Sequence, residues 1–280
     1  MDFGASLWYP VFVDFFVIGG ESRLMPDPVL FVAGPFSIRW YGALVVSGMI
    51  IGAFIACLEA RRQKINIEHF INMCLMLMVA GVLGARAYYV AFNWDYYGQD
   101  LIKILAFREG GLAIHGGLIA GGLAMAISGI YYGVGAWRSL DITAPSAVLA
   151  QSIGRWGNFF NQEAYGYQVD PGKIPWAMFI DGAYRHPTFL YESIWDLLVF
   201  FFLLWYRGRR NVMTGDVCLM YFILYSCGRL VIEGFRVDSL RLGVFRVAQV
   251  VSVAAIFLSL FVMYARHKSS EPGARISSLR

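Results

Sequence analysis

The chain has 280 residues, 58% of them hydrophobic and 15% charged, with a mean hydropathy of +0.57. A soluble domain carries about 45–50% apolar and about 25% charged residues, so a soluble fold is excluded and one integral membrane domain is expected. The formal net charge of +4 suits anionic lipid, although basic cytoplasmic loops alone account for it, and no nucleic-acid partner is expected.

The N-terminus lacks the cationic start of a secretory leader, since residues 1–6 hold Asp2 and no Lys or Arg. The apolar run 7–18 is broken by Pro10 and Asp14 and falls short of the ~20 residues of a span. Residues 1–37 are therefore read as a segment lying along the membrane interface. About seven runs follow that are candidates for spans: 40–59, 70–89, 115–133, 142–156, 188–206, 217–235 and 244–264. The fold class is an all-α, polytopic bundle, with a transmembrane catalytic domain over 38–265 and a loose cytoplasmic tail over 266–280. Cys57, Cys74, Cys218 and Cys227 lie within apolar runs without metal-type spacing and read as small buried hydrophobes. Gly48/Gly52 and Gly117/Gly121 have the spacing of close helix packing.

Arg61, Arg62 and Lys64 follow the first run, Arg138 the third, Arg207, Arg209 and Arg210 the fifth, and Arg266, His267 and Lys268 the seventh. Alternating spans put all of these on one side, which the positive-inside rule makes cytoplasmic. The N-terminus is then outside and the C-terminus inside. With this topology Tyr41, Arg86, His115, Arg155, Asn158, His186, Tyr191, Glu192, Arg229, Glu233 and Arg236 gather at the outer leaflet, although they come from six helices. Charge at that depth is costly and marks a functional site unless it only pairs helices. Tyr225, Arg229, Glu233 and Arg236 recur at i, i+4, i+8 and i+11, on one helix face. Glu233 can pair with either arginine, and together with Arg155 a cationic surplus remains, suited to phosphate. Arg86, at the end of its run, also fits simple snorkelling. His115, in a glycine-rich stretch, is the side chain suited to take a proton. Asp196, four residues beyond Glu192, has no evident partner.

The densest polar run is Gly154-Arg155-Trp156-Gly157-Asn158-Phe159-Phe160-Asn161-Gln162-Glu163-Ala164-Tyr165-Gly166. It resembles the signature of prolipoprotein diacylglyceryl transferases. Stretches 38–42, 84–89, 115–122, 186–192 and 228–236 are similar to that family too, in its order. The resemblance implies a bacterial plasma-membrane enzyme, multi-pass, working at the outer leaflet. It would move the diacylglyceryl group of phosphatidylglycerol onto the lipobox cysteine thiol of preprolipoprotein signal peptides. A thioether forms and glycerol phosphate leaves. His115, Arg155 and Arg229 are then the catalytic candidates. Arg155, Tyr41, Arg86, Asn158, Glu163, Gly166, Tyr225, Glu233 and Arg236 are the substrate-binding ones. No cofactor and no metal are expected.

A rival is a transporter or binder of an anionic lipid or solute, but the inner halves of the runs are apolar, without a polar path. A retinal pigment needs a lysine in the last span, and 244–264 has none.

Overall fold

The computed structural model describes residues 27–269, apart from 34–35, 108–109, 181, 240 and 244. The run 7–18 and the tail from residue 270 lie outside the described residues. A hairpin, β1 (Val29–Ala33) and β2 (Phe36–Arg39), leads into α1 (Trp40–Arg62). Helix α2 (Ile67–Phe92) follows, then a short α3 (Trp94–Tyr97), a 3-10 turn (Leu101–Leu105), α4 (Ile114–Tyr131) and α5 (Ala136–Phe160). A second hairpin, β3 (Met178–Ile180) and β4 (Ala183–Arg185), precedes α6 (Thr188–Tyr206). Helix α7 (Asp216–Ile232) ends in a 3-10 turn (Glu233–Phe235), and a third hairpin, β5 (Arg241–Leu242) and β6 (Phe245–Arg246), leads into α8 (Val247–Ser269). Among the described residues the bundle is thus all-α apart from three hairpins, which lead into α1, α6 and α8.

Among the described residues, six helices are long and apolar enough to cross a membrane: α1, α2, α4, α6, α7 with its 3-10 turn, and α8. The chain is a polytopic membrane protein. The fourth run, expected as 142–156, is instead the 25-residue α5. At about 1.5 Å per residue it is long enough to span, but it carries Arg138, Asp141, Gln151 and Arg155 and is the one long helix outside those six. Packing resolves this. Ile142 belongs to a core with Ala56, Ala60, Phe70, Met73 and Met125, whereas Ala144 and Val148 belong to another with Val199, Leu203, Val217 and Tyr221. Helix α5 lies between the two groups of helices, so its polar positions meet protein rather than lipid. The outer helices show the complement: Phe54 on α1, Phe201 on α6, and Phe257 and Phe261 on α8 are exposed, as lipid-facing side chains should be.

Pro145 sits inside α5 and cannot donate to the Asp141 carbonyl one turn earlier. The Asp141 side chain accepts from the backbone N–H of Gly215 (2.5 Å) and of Cys218 (2.8 Å). A carboxylate thus satisfies the N-terminus of α7, where the helix dipole favours negative charge. At this end of the bundle Glu59 is buried and pairs with Arg62 (3.0 Å) and, across to the end of α6, with Arg207 (3.2 Å). His267 reaches Asp216 at 2.8 Å and fastens α8 to α7.

The glycine spacing is explained by close approach. A Cβ on Gly48 or Gly52 would lie 2.9 Å from the Ala150 or Ser146 carbonyl oxygen of α5. A Cβ on Gly116 of α4 would lie 2.3 Å from the Gly84 carbonyl oxygen of α2. Gly116→Ala must therefore push the two backbones apart and should cost about 1–3 kcal/mol. Gly122→Ala, on the same helix with nothing within 4 Å of its Cβ, should be neutral or slightly stabilising. Thermal unfolding of the two variants in detergent checks this; equal melting temperatures would refute the packing argument.

Candidate active site

The polar run begins in the last turns of α5 and turns sharply out of it. Gln162 (φ 52°) and Ala164 (φ 55°) adopt left-handed conformations, which are uncommon outside glycine. The turn is held by its own side chains. Glu163 accepts from Asn158 Nδ2 (2.9 Å) and Asn161 Nδ2 (3.2 Å), and its backbone N–H donates to the Asn158 carbonyl (3.0 Å). Beyond it, the Gly166 N–H donates to the His186 carbonyl (2.9 Å) and the Tyr167 N–H to that of Phe235 (3.0 Å). The segment is therefore laced between the start of α6 and the end of α7. Gly166 is bridged to Arg236, and a Cβ there would meet His186 Cβ at 2.7 Å and the Phe235 carbonyl at 2.8 Å. Only glycine fits this approach. Gly157 plays the same part on α5, where a Cβ would lie 2.7 Å from the ring of Tyr41 on α1.

Helices α5, α6 and α7 then bring the charges together. Glu192 on α6 is buried and bridges Arg155 of α5 (2.9 Å) and Arg229 of α7, with Arg236 at 3.6 Å. Arg229 also pairs with Glu233 (2.8 Å), and Arg155 donates to the Tyr225 hydroxyl (3.2 Å). Arg236 forks onto Asp238 through Nε (3.0 Å) and Nη2 (2.8 Å). Burial pulls the Arg236 guanidinium down, but Asp238 and the charges of Glu192 and Glu233 outweigh it and hold it above the usual arginine range. Serines complete the α5–α6 contact: Ser152 Oγ donates to the Ser193 carbonyl (2.8 Å), and Trp156 Nε1 donates to Ser193 Oγ (3.1 Å).

Arg155, Tyr225, Arg229, Glu233 and Arg236 form one connected network, with Asn158, Glu163 and Gly166 in the turn beside it and Tyr41 against Gly157. Two expected residues stand apart. Arg86 is buried and does not join the arginines. Its five N–H groups are directed at backbone carbonyls: Nε at Ile104, Nη1 at Gly110 and Gly111, Nη2 at Lys103 and Ala106. Tyr97 and Phe107 flank its guanidinium at 5.1 and 5.4 Å. It organises the segment leading into α4. His115, at the start of α4, is exposed and has the Tyr88 ring 6.2 Å away. No hydrogen bond links it to the network among the described residues.

Sequence reading placed Glu192 at the outer leaflet but did not count it as a site residue, although it is the hub. The surplus of positive charge inferred without it is absent, because Glu192, Glu233 and Asp238 already face Arg155, Arg229 and Arg236. The available signal was positional. A glutamate on α6 at the depth of the arginines needs a cation nearby. His186, placed by its position among the outer-leaflet polar residues, holds the loop: its Nδ1 is 3.0 Å from the Tyr191 hydroxyl, and that hydroxyl accepts from Trp176 Nε1 at 2.8 Å.

The sequence model of the prolipoprotein diacylglyceryl transferase family matches residues 28–265. A phosphatidylglycerol–prolipoprotein diacylglyceryl transferase of Streptococcus equi subsp. zooepidemicus (strain H70) is 46% identical over 250 residues, which cover 87% of this chain and 96% of that protein. A protein of the same description from Streptococcus pneumoniae serotype 4 is 45% identical over 254 residues, covering 89% and 97%.

Because the buried Glu192 neutralises two partly buried guanidiniums, Glu192→Gln should destabilise the folded protein by about 3 kcal/mol. Asp238→Asn, whose carboxylate is 45% exposed, should cost under about 1 kcal/mol. Thermal unfolding in detergent separates them; equal losses would show that Glu192 is not the hub.

Proposed function

The chain belongs to the prolipoprotein diacylglyceryl transferase family, and on that premise we propose that its arginine network is where the phosphate of phosphatidylglycerol is held during transfer. The protein is a transferase. Its acceptor, in this reading, is the lipobox cysteine thiol of a preprolipoprotein signal peptide, presented at the outer leaflet of a bacterial plasma membrane. The basic residues at the opposite helix ends support that orientation.

The observation that carries the reading is the Arg155–Glu192–Arg229 bridge. It sets one nitrogen of each of two guanidiniums on a single carboxylate, on helices whose ends are tied by the family's own signature turn, while their other nitrogens reach Tyr225 and Glu233. A carboxylate held this way marks where phosphate oxygens fit, since both anions accept from the same planar fork. Phosphate arriving there competes with Glu192 for the two arginines.

The sulfur of the cysteine attacks the glycerol carbon that bears the phosphate. A C–S bond forms, the C–O bond breaks, and its electron pair stays on the phosphate oxygen as glycerol phosphate departs. Thiolate is the reactive form, because a thiol is the weaker nucleophile. We assign the thiol proton to His115, whose exposed ring at the start of α4 is open to an incoming peptide. Arg155 and Arg229 stabilise the charge that grows on the leaving oxygen. Tyr225, through Arg155, and Asn158, through Glu163, orient the headgroup. Glu233 holds Arg229, Arg236 closes the rim beside Gly166, and Tyr41 lines the site against Gly157. Arg86, its N–H groups committed to carbonyls, shapes the approach rather than binding phosphate.

Purified protein given phosphatidylglycerol and a lipobox peptide should yield a peptide heavier by one diacylglyceryl group, read by mass spectrometry. A peptide with alanine for cysteine should not. Arg155→Gln and Arg229→Gln should each lower kcat by about 100-fold or more. His115→Gln should lower it by about 100-fold, and near-normal turnover would remove His115 from the proton-accepting role. No adduct with folded enzyme would contradict the function.

A further inference from the structure

The site holds one more carboxyl group, which the proposed chemistry leaves unused. Asp196 lies on α6 one turn beyond Glu192, on the same helix face, and is only 2% exposed. Its Oδ2 is buried without a hydrogen-bond partner. The charged and titratable groups facing it are Arg155 on α5, Glu192 on its own helix, and Arg229 and Tyr221 on α7.

The charges around it are already matched. Arg155, Arg229 and Arg236 face Glu192, Glu233 and Asp238. An ionised Asp196 would add a fourth negative charge to three positive ones. The phosphodiester of phosphatidylglycerol would add a fifth, in a region of low dielectric where uncompensated charge is costly. Charge balance then requires that something give way when the anion binds. Glu192 and Glu233 are each fixed by two guanidiniums or more, and Asp238 is shared with water at the rim. Glu192 Oε2 and Glu233 Oε2 also lack a hydrogen bond, but both carboxylates are ion-paired. Asp196 is the carboxyl of the four with no ion pair among the described residues, so protonating it breaks none.

We propose that Asp196 takes up one proton from water as the phosphodiester anion binds at the arginine network, so that binding leaves the charge of the cluster unchanged. Asp196 is a positioning residue. It sets how much negative charge the arginines can accept and does not touch the reacting atoms. The inference rests on the reading of the network as the phosphate site. By linkage, affinity for the anion is highest where Asp196 accepts a proton readily, and it falls as pH rises.

The test uses the full-length protein in detergent at low buffer capacity, with a pH-indicator dye and short-chain phosphatidylglycerol. Wild-type protein should take up about one proton per lipid bound at the pH of maximal uptake. Its KM for phosphatidylglycerol should rise by up to about tenfold per pH unit above that point, with kcat following a separate profile. Asp196→Asn should abolish the uptake and flatten KM against pH, and Asp196→Glu should restore both. A merely structural role would move stability or kcat without changing proton uptake. Saturable binding by wild-type protein with no proton taken up would overturn the proposal, as would undiminished uptake in Asp196→Asn. A separate arm addresses the premise. If phosphatidylglycerol binds undiminished to Arg155→Gln and to Arg229→Gln, the phosphate site lies elsewhere and the failure belongs to that reading.

Discussion

Three guanidiniums at the end of a membrane bundle must be neutralised by carboxylates, and much of the architecture at that end serves this requirement. Arg155, Arg229 and Arg236 come from α5, α7 and the turn after α7, and Glu192 from α6 meets all three. Without it the positive charges would repel in a medium that screens them poorly. With it, they form a preorganised cluster holding an anion of the chain's own. This is compatible with binding phosphate. In the proposed reading, the carboxylate that stabilises the fold is also the one that competes with the lipid phosphate.

Such a network needs a rigid frame, and α5 supplies it. The helix is enclosed by other helices, so it can carry Asp141 near one end and Arg155 near the other without exposing either to lipid. Asp141 anchors the start of α7, and the signature turn after α5 is laced to the end of α7 through Phe235. Helix α7 is therefore held at both ends by extensions of α5. The spacing between Arg155 and Arg229 follows from this double attachment. Glycines at positions 157 and 166 set the two closest approaches, one to Tyr41 and one to His186.

The lipid-facing helices were legible because lipid demands long apolar runs, and 188–206 was read with the bounds that α6 has. The central helix was read too short, since polar residues near its ends look like loop when neighbours are unknown. The hairpins escaped notice because strands of two to five residues leave little periodic signal. In the site, the one-face spacing of Tyr225, Arg229 and Glu233 was readable from helix geometry alone. The pairing of Glu192 was not, because it joins three helices and no local pattern encodes it. Arg86 shows the same limit: its carbonyl partners belong to an irregular segment whose path sequence does not specify.

The central claim is that Arg155 and Arg229, which both reach Glu192, are where the lipid phosphate binds. A structure of the protein in a lipid nanodisc, with a phosphatidylglycerol analogue that cannot transfer its diacylglyceryl group, tests this most directly. The account predicts phosphate oxygens within about 3 Å of both guanidiniums, with at least one Glu192 contact lengthened or lost. A phosphate resolved away from both arginines, with the Glu192 bridges intact, would contradict it.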